Sequence, residues 1–179
     1  MAKHSVEEVR AEYDRLDKLC GVDTSAIEIR VSQRSTSRYG YCHYRSEKIP
    51  GSKQTRMVPD YISITDFIFD CEAQFWNTIR HEYAHALVCL RDGYSHHHDK
   101  VWKAACGEVG CSPERCSNNR EAANRSAARR EEKAKYTLSC NRCGRKWTYV
   151  RVGRVVRAAK AGRSLTCPCG STALIFKTI

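Results

Sequence analysis

The chain has 179 residues, eleven of them cysteines, and a formal net charge of +11 at pH 7. That length suffices for one ordinary domain and a smaller appended one. We find no apolar signal segment near the first residue and no run of about 18 apolar residues, so the sequence predicts neither secretion nor a transmembrane helix. It predicts an intracellular monomer without a membrane partner. In that reducing setting, clustered cysteines bind metal or fill the core.

The positive charge is concentrated in the last third of the chain. Residues 1–112 carry 15 Lys and Arg against 16 Asp and Glu, whereas residues 113–179 carry 16 against 4. This asymmetry predicts a near-neutral folded body and a basic C-terminal module that attracts a polyanion. The alternative is a basic surface that serves solubility alone.

Hydrophobic periodicity predicts a mixed α and β body. Apolar residues recur at helical spacing over residues 5–19, 71–91 and 99–109, and alternation indicates strands over residues 26–34, 38–45 and 55–65. Pro59 predicts that its strand lies at a sheet edge or is interrupted. Gly93 is expected to end the long helix. Residues 113–135 lack an apolar stripe and predict a solvated helix or helical linker.

An H-E-x-x-H motif lies in the long predicted helix, formed by His81, Glu82 and His85. Histidines four residues apart on a helix share one face, so both imidazoles can bind one zinc ion. Glu82 lies about 100° around the helix from His81, where its carboxylate can accept a proton from the attacking water. The alternative is a pair of structural histidines, which would leave Glu82 as a buried carboxylate without a partner.

A catalytic zinc site normally has a third protein ligand and one open position. The metzincin continuation of the motif fails, because Val88 and Arg91 stand where it requires Gly and His. A glutamate on the following helix, Glu108, is one candidate ligand. The turn at Asp92–Gly93 makes a histidine easier to supply, and the candidates are His96, His97 and His98.

The motif and its surroundings resemble the SprT-like, or Spartan-type, metalloprotease family. In that family a Gly-containing loop follows the motif helix, and a third histidine precedes an aromatic residue by four positions. His98 and Trp102 meet this spacing, so the resemblance implies His98 as the third ligand, with His97 the alternative in a shifted register. The family usually has glycine after that histidine, whereas this chain has Asp99. The Gly40-Tyr41 pair in a predicted strand matches the family as well.

The resemblance implies an α+β architecture for the whole chain. Residues 1–112 would form a zincin-like catalytic domain, in which a small mixed sheet packs with the helices that carry the motif. Residues 113–135 would form the basic helical linker, and residues 136–179 a β-rich zinc ribbon.

Four cysteines near the C-terminus have the spacing of a structural zinc site. Cys140 and Cys143 form a C-x-x-C knuckle followed by Gly144, whereas Cys167 and Cys169 form a shorter C-P-C pair. The shorter pair predicts either a complete four-cysteine site or a strained, incomplete one. The other cysteines have no such knuckle and are expected to fill the core; they are Cys20, Cys42, Cys71, Cys89 and Cys106. A third metal site at Cys106, Cys111 and Cys116 is a weaker alternative.

Cationic and aromatic residues alternate in the expected ribbon, which is typical of a nucleic-acid platform. The candidates are Arg145, Lys146, Trp147, Tyr149, Arg151, Arg154 and Arg157. The segment 146–157 predicts β structure, in which Trp147, Tyr149 and Arg151 share one strand face. Alternatively, the two aromatic side chains form the core of the ribbon.

These residues together predict a zinc endopeptidase with Glu82 as general base, one catalytic zinc ion and one structural zinc ion. Tyr39, Tyr61 and Tyr94 are candidates for stabilising the oxyanion. The resemblance implies protein substrates that are bound or crosslinked to DNA, with single-stranded or junction-containing DNA as partner and DNA–protein crosslink repair as the role. The expected compartment is accordingly the cytoplasm, in association with the nucleoid, or the nucleus, depending on the host. Two alternatives remain: a DNA-independent protease that processes a specific regulator, and a non-catalytic DNA-binding zinc protein.

Overall fold

A computed structural model describes residues 3–115 and 118–179. The chain divides into two compact units, residues 1–123 and residues 124–179. In chain order the elements are α1 (Val6–Cys20), β1 (Glu28–Ser32), β2 (Gly40–Lys48), β3 (Thr55–Thr65), a 3-10 turn (Asp66–Asp70), α2 (Glu72–Asp92), α3 (Lys100–Val109), α4 (Arg120–Glu132), β4 (Tyr136–Cys140), β5 (Lys146–Tyr149), α5 (Arg154–Lys160) and β6 (Leu174–Thr178). The predicted α+β fold is confirmed.

The sheet of the first unit has the order β1-β3-β2, with β1 parallel and β2 antiparallel to β3. Strand β3 is therefore central where it pairs with both neighbours, from Tyr61 to Ile64. Pro59 lies just before that stretch and faces Tyr44 of β2, beside a register shift at His43/Tyr44. The sheet tolerates a proline here because β1 does not pair with this part of β3.

Two helices pack against this sheet and against each other. A capping box begins α1: Glu8 N–H donates to Ser5 Oγ, and Ser5 N–H donates to the Glu8 carboxylate. The buried hydroxyl of Tyr13 donates to the Ile79 carbonyl at 3.0 Å, which ties α1 to the middle of α2. The core between the helices and the sheet consists largely of buried Ile, Phe, Tyr, Val and Leu side chains.

Helix α2 ends at Gly93, whose φ of +73° is the left-handed conformation that glycine adopts without steric cost. The chain then turns, and Asp99 caps α3 by accepting from the N–H groups of Val101 and Trp102. The loop between the two helices is thereby fixed at both ends. Within residues 3–115 and 118–179, no helix is both long and apolar enough to cross a membrane.

The second unit contains a three-stranded antiparallel sheet of order β5-β4-β6 and the short helix α5. The prediction of β-rich structure over residues 146–157 is correct for residues 146–149 and wrong for residues 150–157. Strand β5 ends at Tyr149, and α5 begins at Arg154 and buries Val156 completely. Gly153 precedes this helix as its N-cap and separates the two patterns. Polar and apolar residues alternate regularly only within β5 itself.

Candidate metal centre

Helix α2 places both histidines of the motif, His81 and His85, on one face. The ring centroids of His81 and His85 lie 5.2 Å apart, and His98 approaches them to 5.2 Å and 5.0 Å from the loop before α3. One nitrogen of each ring lies within 4.8 Å of those of the other two. The Nε2 atoms of His81 and His98 are 3.2 Å apart. Three imidazoles thus converge on one point.

The protonation of these rings suits a metal ligand. Burial lowers the pKa of His81 to about 4 and that of His85 to about 3, and it also lowers the pKa of His98. The three imidazoles are therefore neutral at pH 7. His85 Nδ1 lies 3.1 Å from the carbonyl oxygen of His96, and a proton on Nδ1 donated to that oxygen leaves Nε2 free to bind a metal.

Three neutral imidazoles that converge with one side open are the donor set of a catalytic zinc ion. Zinc binding also accounts for the approach of two Nε2 atoms to 3.2 Å, because one cation would accept both lone pairs. The residues present therefore fit zinc.

Trp102 forms the floor of the histidine cluster. It is fully buried, and its ring centroid lies 4.6, 5.0 and 4.5 Å from those of His81, His85 and His98. The indole thus limits the rotamers of all three rings. Its position one turn after His98 explains why an aromatic residue follows the third histidine at this spacing.

The three other candidates for the third ligand lie outside the cluster. His97 is exposed and outside the cluster, although it lines the cleft, and Glu108 forms an ion pair with Arg91 at 2.9 Å.

His96 is not a ligand but contacts residues around the centre. Its ring lies between Asp92 and Asp99, with nitrogen–oxygen distances of 2.6 and 2.7 Å. Asp99, the departure from the family pattern, thus caps α3 and also holds the loop that carries His98.

Glu82 is buried beside the ligands and is only 6% exposed. A Cβ atom added at Gly40 would lie 2.5 Å from Glu82 Oε1, so the carboxyl group lies directly against the glycine backbone of β2. Burial raises the pKa of Glu82 to about 8, and a hydrogen bond with the Cys42 backbone opposes that shift. A dication beside the carboxyl group would lower this pKa toward neutrality. Such a group suits proton transfer near pH 7.

The three histidines and Glu82 line one open cleft of about 690 Å³. Among the tyrosines predicted to stabilise an oxyanion, Tyr39 lines this cleft, whereas Tyr61 and Tyr94 do not. Sequence reasoning missed several other polar residues of the lining: Tyr41, Tyr44, Gln74, Asn77, Thr78, Glu114 and Arg115. A signal existed for some of them, since Gln74, Asn77 and Thr78 precede His81 by one or two helical turns.

The second unit gathers four cysteines. The Sγ atoms of Cys140 and Cys169 lie 3.7 Å apart, and those of Cys143 and Cys167 lie 3.6 Å apart. Tetrahedral zinc with bonds of about 2.3 Å requires sulfur–sulfur distances of about 3.8 Å, whereas a disulfide would require about 2 Å. A hydrogen bond with the Cys143 backbone helps to lower the pKa of Cys140 to about 6, which favours the thiolate.

The short C-P-C pair closes in the same way as the longer knuckle. Gly170 N–H donates to the Cys167 carbonyl at 2.8 Å, and Gly144 N–H donates to the Cys140 carbonyl at 2.9 Å. All four sulfur atoms lie within 4.8 Å of one another. The shorter spacing therefore costs no ligand, and the cluster fits the zinc ribbon.

Cysteines elsewhere do not form a further cluster of three ligands within residues 3–115 and 118–179. Cys42, Cys71, Cys89 and Cys106 are buried, and Cys20 is half-buried. Cys116, the third member of the alternative site, lies outside the described residues.

The residues predicted to bind nucleic acid are divided between β5, a turn and α5. The cationic side chains are exposed: Arg145, Lys146, Arg151, Arg154 and Arg157. Trp147 and Tyr149 are half-buried and pair with Leu138 and Tyr136 of β4. Because β5 ends at Tyr149, the prediction that Arg151 shares its strand face was wrong.

The fold and the two clusters define a class of protein. A three-stranded mixed sheet, a motif helix with two histidines and a glutamate, and a third histidine before the next helix form a zinc metallopeptidase-like domain, which a four-cysteine ribbon follows. The model of the SprT-like family matches residues 6–125, and the chain belongs to this family. No curated protein and no solved structure matches the chain.

Proposed function

We propose that the protein is a zinc-dependent endopeptidase that cleaves proteins bound or crosslinked to DNA. The observation that carries the enzymatic part is the position of Glu82. Its carboxyl group is buried beside His81 and His85, and it faces the same cleft as these two ligands and His98. A purely structural zinc site has no use for a buried acid, because burying it costs free energy without a return in metal affinity.

His81, His85 and His98 would hold the zinc ion, which supplies a Lewis acid that polarises the scissile carbonyl and activates water. Glu82 accepts the proton of the attacking water and delivers it to the leaving amine. Gly40 and the Cys42 backbone hold this carboxyl group in place. Tyr39 and Arg115 line the cleft and are the polar groups that we propose to stabilise the developing negative charge.

The positive charge of the C-terminal third of the chain supports binding to nucleic acid. The exposed cations of the ribbon include three arginines between residues 151 and 157, and the last third of the chain carries a fourfold excess of Lys and Arg over Asp and Glu. A module of this charge concentrates on the phosphate backbone, and its affinity falls steeply with salt. An endopeptidase attached to it would act on proteins that occupy the same DNA.

The experiment measures cleavage of a basic DNA-binding protein by the full-length, zinc-loaded chain, with and without single-stranded DNA. We expect cleavage to require DNA, and we expect Glu82→Gln to reduce the rate by about 10²–10⁴-fold. A Glu82→Gln variant as active as the wild type would overturn the enzymatic mechanism. Cleavage that is indifferent to DNA would instead indicate a protease without a DNA role.

A further inference from the structure

Five planar side chains form a continuous row across the sheet of the first unit. Arg38 lies over the ring of Tyr41, with its Cζ 5.3 Å from the centroid, and Tyr41 contacts His43 edge to face. His43 stacks on Tyr61 at 4.5 Å with an interplanar angle of 10°. Arg30 completes the row, with its Cζ 3.8 Å from the Tyr61 centroid. We call these five residues the outer ladder.

The outer ladder lies on the face of the sheet opposite the motif helix. Successive residues of a strand point to opposite faces, and on β2 the inward positions are Gly40, which contacts Glu82, and Cys42, which is buried in the core. Tyr41 and His43 therefore point outward, and Tyr41 is 43% exposed. The row involves all three strands, because Arg30, Tyr61 and His43 belong to β1, β3 and β2.

The charge of this segment differs from that of the rest of the first unit. Residues 28–65 carry seven Lys and Arg against three Asp and Glu, although residues 1–112 as a whole have one acidic residue more than basic ones. Two of the three acids are already engaged near the ladder: Glu28 pairs with Arg30, and Asp60 pairs with His43. Arg38 belongs to the ladder and has no acidic partner among its contacts in the described residues.

We propose that the outer ladder binds single-stranded nucleic acid by stacking its bases. Aromatic rings and guanidinium planes on a sheet surface are suited to unstacked bases, and the surrounding arginines are suited to phosphates. The exposed ring of Tyr41 offers a stacking surface at one end of the row. At the other end, a base replaces the Arg30 guanidinium over Tyr61, and the freed arginine pairs with a phosphate.

The position of the ladder gives this binding a consequence for catalysis. Tyr41 lies on β2 at the edge of the sheet, and at this edge Arg38 and Tyr41 line the catalytic cleft together with His81 and Glu82. The row therefore begins at the rim of the cleft and continues across the outer face. A single strand of DNA bound there would hold a protein attached to that DNA beside the zinc centre. This inference rests on the proposed function, since it gives the DNA-associated protease a nucleic-acid site on its catalytic unit.

The first experiment uses the unaltered full-length chain. A single-stranded oligodeoxynucleotide that carries photoreactive bromodeoxyuridine is crosslinked to the protein, and the modified peptides are mapped by mass spectrometry. Crosslinks to Tyr41, His43 or Tyr61 support the outer ladder. Crosslinks confined to residues 124–179 overturn it and leave the proposed function intact. A chain that neither crosslinks nor binds DNA overturns both this inference and the DNA part of the proposed function.

Variants then separate stacking from charge. We expect Tyr61→Leu to weaken binding of the single strand about 5- to 100-fold with an unchanged salt dependence, because it removes a stacking ring and no charge. Arg30→Lys keeps the charge but loses the paired N–H groups with which a guanidinium contacts a phosphate, and it should also weaken binding. The matched control is Tyr94→Leu, an exposed tyrosine outside the ladder. Equal affinities for Tyr61→Leu, Tyr94→Leu and the wild type would show that the row only stabilises the sheet.

Discussion

The backbone of Gly40 lies directly against the carboxyl group of Glu82. A Cβ atom at position 40 would lie 2.5 Å from Oε1, 2.6 Å from Cγ and 2.9 Å from Cδ of Glu82. Real atoms do not approach so closely, so either the strand or the acid would have to move. Glycine at this position therefore lets the carboxyl group of Glu82 lie in the same cleft as the three histidines.

We expect Gly40→Ala to displace Glu82 and to impair proteolysis far more than stability. Overpacking of this kind costs about 1–3 kcal/mol of the free energy of unfolding, whereas misplacing a general base lowers the rate about 10²-fold or more. Zinc content should remain unchanged, because the atoms nearest to a Cβ at position 40 belong to Glu82 and not to a histidine. Initial rates, zinc analysis and thermal melts of the purified variant measure the three effects.

Gly107→Ala is the matched control, because Gly107 lies in α3 and a Cβ there would meet no atom within 4 Å. It should leave the rate unchanged and stabilise the fold by up to about 1 kcal/mol, since alanine is the better helix former. If Gly40→Ala and Gly107→Ala had equal rates, the contact with Glu82 would have no role in catalysis.

His96 should control zinc affinity although it is not a ligand. Its carbonyl accepts from His85, and its ring is held by Asp92 and Asp99. We expect His96→Ala to weaken zinc binding at the histidine site about 10- to 100-fold, as is typical when a group that orients a ligand is lost. Competition with a chromophoric chelator measures this affinity.

His97→Ala is the control for that prediction, since His97 is the exposed neighbour outside the cluster. It should bind zinc as the wild type does. A large loss of affinity in His97→Ala, with none in His98→Ala, would instead identify His97 as the third ligand. The zinc-induced rise in melting temperature provides an independent measure, because it depends on zinc affinity and not on the stability of the metal-free chain.

The four cysteines of the ribbon should bind a second metal ion. We expect two zinc ions per wild-type chain and one in Cys143→Ser, because three thiolates and a hydroxyl bind zinc much more weakly. Cobalt substitution distinguishes the sites, since only the cysteine site produces a thiolate-to-cobalt charge-transfer band. The second unit should also become sensitive to proteolysis in Cys143→Ser, because a module this small depends on its metal to fold. Two tightly bound zinc ions in that variant would contradict the assignment.

Glu12 should make the first unit sensitive to acid. Hydrogen bonds from Arg15 and Arg80 lower the pKa of its carboxyl group below the usual value, despite opposing burial. The folded state therefore binds a proton less readily than the unfolded state. Its stabilising contribution is present above the unfolded pKa of about 4.3 and is lost as the pH falls through the lower folded pKa.

Glu12→Gln removes this contribution, which we expect to be about 1 kcal/mol or less, because both arginines are partly solvated. Chemical denaturation at pH 7 and at pH 3 measures the effect. The difference between the wild type and Glu12→Gln should be smaller at pH 3 than at pH 7. An equal difference at both pH values would show that the lost stability comes from packing and not from the charge.

The sequence by itself determined the features that depend on neighbouring residues. Helical spacing placed His81 and His85 on one face, because residues four apart on a helix are always neighbours. Alternation indicated the strands of the first sheet, and the two cysteine pairs indicated a metal site. In each case the pattern reports contacts within one element or one turn.

Only the tertiary structure decided which groups from different elements meet. The choice of His98 over His97 depends on how the loop folds back onto α2, and the contact between Gly40 and Glu82 depends on the packing of β2 against α2. The same holds for α5, where a short apolar pattern is compatible with strand and helix alike and the folded chain forms a helix that buries Val156. Local patterns specify elements, whereas the site is made by contacts between residues far apart in the chain.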